Sequence, residues 1–90
     1  MDDELRLDGN AAAGALQDVF SFEVTAARGW CDGCGAVEPI GALVVYLHAP
    51  GVVVRCVHCG AVMIRVVTTP RGSHVDLSGI RRLEVAPARV

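Results

Sequence analysis

At 90 residues the chain has room for one small domain, with an apolar core too limited to be comfortably stable through burial alone. The composition is 52% hydrophobic but holds only four aromatic residues, Phe20, Phe22, Trp30 and Tyr46, so the core must be aliphatic and chiefly valine. The net charge of −2 and a pI near 5.8 argue against a polyanion-binding role, and Arg55 and Arg65 interrupt the most apolar stretch, which excludes a membrane helix of about 20 unbroken apolar residues.

Charge is unevenly placed. Residues 1–23 hold six acids against Arg6, a balance of −5; residues 24–90 hold seven arginines against Asp32, Glu38, Asp76 and Glu84, a balance of +3. There is no lysine, and the richness in Ala, Val, Gly and Arg suggests a G+C-rich bacterial genome. The acidic start, Met1-Asp2-Asp3-Glu4, is unlike a secretory signal, so a reducing, cytoplasmic setting is expected.

Residues 1–7 read as a flexible acidic leader. From Asp8 to Phe20, Ala12, Ala13, Leu16, Val19 and Phe20 recur at helical spacing, which predicts an N-terminal helix capped by Asp8 or Asn10. Gly14 costs such a helix about 1 kcal/mol relative to alanine, so it must dock on the rest of the fold to survive. At Phe22 the period changes to two, with Phe22, Val24 and Ala26 opposing Glu23, Thr25 and Ala27, predicting a strand that runs into the first cysteine pair. Ile40–His48 and Val52–Cys56 predict a hairpin about Pro50-Gly51, and Ala61–Thr69 is the most β-prone run of the chain. Pro70-Arg71-Gly72-Ser73 marks a turn into His74–Leu77 and Ile80–Val85. Four or five antiparallel strands are expected.

All four cysteines lie in two matching motifs, Cys31-Asp32-Gly33-Cys34-Gly35 and Cys56-Val57-His58-Cys59-Gly60. A C-x-x-C turn brings two sulfurs to one ion, and the glycine that follows supplies the positive φ such a knuckle tends to require. Gly33 is expected to relieve crowding in the first turn. Two knuckles at this spacing predict a tetrahedral four-thiolate site in which the ion clips two hairpins together. Zinc is the expected ion and iron the alternative: both suit four thiolates, but iron sites of this kind usually have several aromatic rings around them. The fold expected is mainly β (small α+β), a zinc-ribbon or rubredoxin-like set of antiparallel hairpins with one N-terminal helix, spanning 8–86 as a single domain with 87–90 as a tail.

Four cysteine ligands leave no position for an activated water, and the chain has no triad, phosphate loop or H-E-x-x-H motif, so a non-catalytic protein is expected. His58 reads as a neighbour of the site rather than a ligand, His48 and His74 as surface residues, and Trp30 as a shield over the sulfurs. The function expected is a protein-interaction or regulatory module with a protein partner. Nucleic-acid binding through Arg55, Arg65, Arg71, Arg81 and Arg82 is one alternative; electron transfer at iron or a thiol redox switch is another. A homodimer is open if the strands Leu43–Leu47 or Val62–Val67 lack an internal cover.

Leu7-Asp8-Gly9-Asn10-Ala11, Asp18-Val19-Phe20, the two C-x-x-C-G turns and Val75-Asp76-Leu77 with Gly79-Ile80-Arg81 together resemble a family of small actinobacterial proteins of unknown function. Members look like zinc ribbons with an N-terminal helix. The resemblance implies Cys31, Cys34, Cys56 and Cys59 as metal ligands and carries no known activity.

Overall fold

The computed structural model describes residues 6–8, 13–17, 19–48 and 51–85. They form two antiparallel sheets. The larger contains β1 (Arg6–Asp8), β4 (Val44–His48), β5 (Gly51–Arg55), β6 (Val62–Thr69) and β7 (Gly72–Asp76), in the order β1-β4-β5-β6-β7. The smaller contains β2 (Arg28–Cys31), β3 (Val37–Pro39) and β8 (Ile80–Glu84), in the order β3-β2-β8. No helix among the described residues is long and apolar enough to cross a membrane.

The valine-rich strands set the larger sheet, because β-branched side chains pack well on a pleated surface. Register places Val45 opposite Val54 and Val54 opposite Ile64, so these buried residues share one face. Val24, Ile40, Leu43 and Met63 complete the core with Leu16, and Phe20 and Phe22 pack at its margin. The expected aliphatic, valine-rich core is what forms.

The N-terminal helix expected over Asp8–Phe20 is not present. The described part of that stretch holds a five-residue helical turn, Ala13–Gln17, and Asp8 pairs with Val44 in β1. A run of alanines interrupted by Gly14 has little to bury, and Leu16 is the buried side chain among those described there. Gly9, Asn10, Ala11, Ala12 and Asp18 lie outside the described residues, as do most of the leader and the tail. Arg6 and Leu7, expected in the leader, pair with Tyr46 and Val45.

Two strand assignments also change. The strand expected from Phe22 into the first cysteine pair begins only at Arg28, as β2; before it Val24–Ala26 is a 3-10 turn, closed by the Ala27 N–H donating to the Val24 carbonyl at 3.0 Å, while the Thr25 hydroxyl bonds the Glu23 carboxylate. Such local bonds outcompete a ladder where alanines give it little side-chain packing. Ile40–Ala42 likewise turns, so β4 starts at Val44, while β3 is the strand that leaves the first cysteine turn and closes the expected hairpin with β2. The mainly-β class holds, but the single ribbon of hairpins is replaced by two sheets.

The turn before β8 holds the sheets together. Ser78 N–H donates to Asp76 Oδ1 at 2.8 Å, and the bonds from Ser78, with Arg65 nearby, hold the Asp76 carboxyl below its ordinary range. Gly79 then lies against β6 so closely that a β-carbon there would stand 1.9 Å from the Val62 carbonyl oxygen. Its own carbonyl accepts the Asp32 N–H at 2.9 Å, tying β8 to the first cysteine turn. Since the obstacle is backbone, Gly79→Ala is expected to cost about 3 kcal/mol. Chemical denaturation measures this, and a loss under about 0.5 kcal/mol, the level of an ordinary surface change, would contradict the close approach.

Candidate metal centre

Each C-x-x-C-G segment is the turn of a hairpin, one from each sheet. The first joins β2 to β3 and the second joins β5 to β6. The two repeat one another bond for bond. Gly35 N–H donates to the Cys31 carbonyl at 2.8 Å and Gly60 N–H to the Cys56 carbonyl at 3.0 Å; Cys31 N–H donates to the Ala36 carbonyl at 2.9 Å and Cys56 N–H to that of Ala61 at 2.8 Å. Gly35 and Gly60 have φ of +79° and +81°, a region that costs an L residue about 1–2 kcal/mol, so glycine is required at both. Gly33 differs. A β-carbon there would meet the Cys31 and Cys59 sulfurs at 3.6 Å, an ordinary contact, so crowding does not dictate it.

The four sulfurs converge, all within 4.8 Å of one another. Cys31 and Cys59 are 3.6 Å apart and Cys34 and Cys56 3.7 Å, each pair bridging the two turns. A tetrahedron with metal–sulfur bonds of ~2.3 Å has edges of about 3.8 Å, close to these two cross-turn distances. The group could hold a metal ion. Cys31 and Cys56 are 1% and 3% exposed and belong to the core, while Cys34 and Cys59 face solvent.

Sulfurs this close cannot all carry charge at equal cost, and their protons leave unequally. Desolvation opposes the Cys56 anion, but the N–H groups of Cys59 and His58 and the neighbouring thiols outweigh it and bring the group down to about 7. For Cys34 the Ala36 N–H favours the anion, but desolvation and the other three sulfurs push it up to about 12. At Cys59 the Ala61 N–H also favours the anion, and the Cys31 thiol with desolvation still raises it.

Charged side chains bracket the turns, and the sequence reading missed their pairing. His58 Nε2 lies 2.7 Å from Glu38 Oε2, strapping the second turn to β3 beside the first. Arg55 donates to the Gly60 carbonyl at 2.9 Å and lies over the Tyr46 ring, and Arg81 lies 3.7 Å from Asp32. Four thiolates with a divalent ion carry a formal −2, which the two guanidiniums help offset. Pairing across separate hairpins leaves no local sequence signal. Trp30 alternates with Gly29 and Cys31, both buried; its ring is half-buried and carries the Arg82 and Arg28 guanidiniums at 5.2 and 5.8 Å from its centre. His74 is exposed, and the His48 side chain lies outside what is described.

Because ligands must be deprotonated, metal uptake displaces protons from the raised thiols Cys34 and Cys59. Apparent affinity is expected to rise with pH above about 7, and to drop steeply on acidification below that point, where Cys56 is protonated as well. Competition against a chromogenic chelator across this range, with proton release followed in a weak buffer, measures it. An affinity independent of pH would contradict thiolate ligation.

No curated protein and no solved structure matches the chain. A family model does, described as a family of unknown function (DUF6510), over residues 1–88. That span contains both cysteine turns and every described strand, and the chain belongs to the DUF6510 family.

Proposed function

We propose that the chain is a non-catalytic, zinc-stabilised binding module, working as a protein-interaction or regulatory element in a reducing bacterial cytoplasm. One observation carries this: four cysteine sulfurs, all within 4.8 Å of one another, come from the turns of two hairpins in different sheets. All four tetrahedral positions have a protein donor, a pattern of structural rather than hydrolytic zinc sites. Bound there, zinc would supply cross-linking. Cys31 and Cys56 hold the ion from the core side and Cys34 and Cys59 from the solvent side.

Zinc is preferred to iron because the site has few aromatic neighbours, the nearby Trp30 being occupied by arginines on its own sheet. A protein partner is preferred to a nucleic acid because the chain is net negative, with a pI near 5.8, and two of the five candidate arginines are engaged internally, Arg81 with Asp32 and Arg55 with a backbone carbonyl.

Elemental analysis of natively purified protein, together with Cys34→Ser, tests the reading. A colourless preparation with one zinc per chain is expected, and a red one containing iron would favour the electron carrier. Structural zinc contributes about 10 kcal/mol or more of apparent binding free energy, comparable with the whole stability of a small domain. Cys34→Ser should therefore lose zinc and most cooperative structure, as followed by circular dichroism. A serine variant with full zinc and unchanged stability would overturn the four-thiolate site.

A further inference from the structure

Two sheets have four edges, and natural proteins guard such edges with short strands, proline, positive charge or bulges. Among the described residues three edges are guarded. β1 is three residues long, β3 is three residues long and ends in Pro39, and β8 carries Arg81 and Arg82 and meets β2 through an irregular register. β7 has none of these devices. It has five residues, Gly72-Ser73-His74-Val75-Asp76, with no proline, no arginine and an unbroken register on β6. All five side chains are exposed, and the strand forms the outer edge of the larger sheet.

The row of side chains leading to that edge is apolar and stops without cover. Leu47 pairs with Val52, Val52 with Val66, and Val66 with Val75. Val52 and Val66 are 7% and 2% exposed, but Val75 at the end of the row is 37% exposed, as is Leu47 at the other end. The next row, on the opposite face, pairs Arg65 with Asp76.

We propose that β7 is the interface of a homodimer, pairing antiparallel with β7 of a second copy across a two-fold axis at Val75. The occupant follows from the self-complementarity of the strand. Centred there, Val75 meets its own copy, and His74 faces Asp76 twice, placing an imidazole opposite a carboxylate on each side of the axis. The valine row then runs unbroken through both molecules, and each Asp76 lies between Arg65 of its own chain and a histidine of the other. The dimer has a continuous ten-stranded sheet in which His74, Val75 and Asp76 of each β7 pair with those of the other copy. The metal turns remain outside it, so pairing is independent of the ion bound.

Sedimentation equilibrium of the zinc-loaded full chain over a concentration series tests this. A mass approaching twice 9.4 kDa is expected, with Val75→Lys returning it to one chain mass at unchanged zinc content. Arg82→Glu, on the β8 edge, should leave the dimer intact. Should Val75→Lys fail to fold, amide hydrogen exchange on the unaltered protein decides instead: β7 amides should gain protection as concentration rises, and β8 amides should not. A monomer at every concentration, a dimer unaffected by Val75→Lys, or concentration-dependent protection on β8 rather than β7 would each overturn the proposal.

Discussion

Everything in this fold depends on four sulfurs meeting where two hairpin turns come face to face. The larger sheet supplies one turn and the smaller sheet the other, with cross-turn distances of 3.6 and 3.7 Å. Cys31 and Cys56 are at once members of the apolar core and half of the group that could hold a metal, so core packing positions two of the four sulfurs. A domain of this size buries only about 60–65% of the surface its unfolded chain exposes, which leaves a staple much to contribute.

The equivalence of the turns is the part most legible in the sequence. A repeated C-x-x-C-G pattern calls for the same backbone at both places, and the paired hydrogen bonds and matching φ of Gly35 and Gly60 meet that demand. The strands β5 and β6 were similarly readable, because valine and isoleucine runs bounded by Pro-Gly and Cys-Gly turns admit few other conformations, whereas β7 takes in Gly72 and Ser73, which the sequence assigned to the turn. Where the alternation was short and alanine-rich, as between Phe22 and Ala27, local bonds decided the conformation. The helix failed for a related reason, since alanine spacing indicates periodicity without supplying area to bury.

Less of the site's surroundings could be read. Arg55 follows its own strand into a carbonyl five residues away and was within reach of a local argument. His58 and Glu38 belong to different hairpins, and their contact exists only because the turns are brought together. The division into two sheets was hidden in the same way: β2 finds β8 at the far end of the chain, a pairing to which no single window of sequence points.

That last pairing bears on how the protein assembles. The larger sheet grows mostly by hairpins between neighbouring strands, each closing a short loop, whereas Arg28 and Glu84 of the smaller sheet are 56 residues apart. Loop closure across such a span costs entropy that only later contacts return, and high contact order slows folding. The β4–β7 meander is thus the natural early structure. On contact order alone, the pairing of β8 with β2, and with it the seating of Gly79 on β6, is expected to form after that meander.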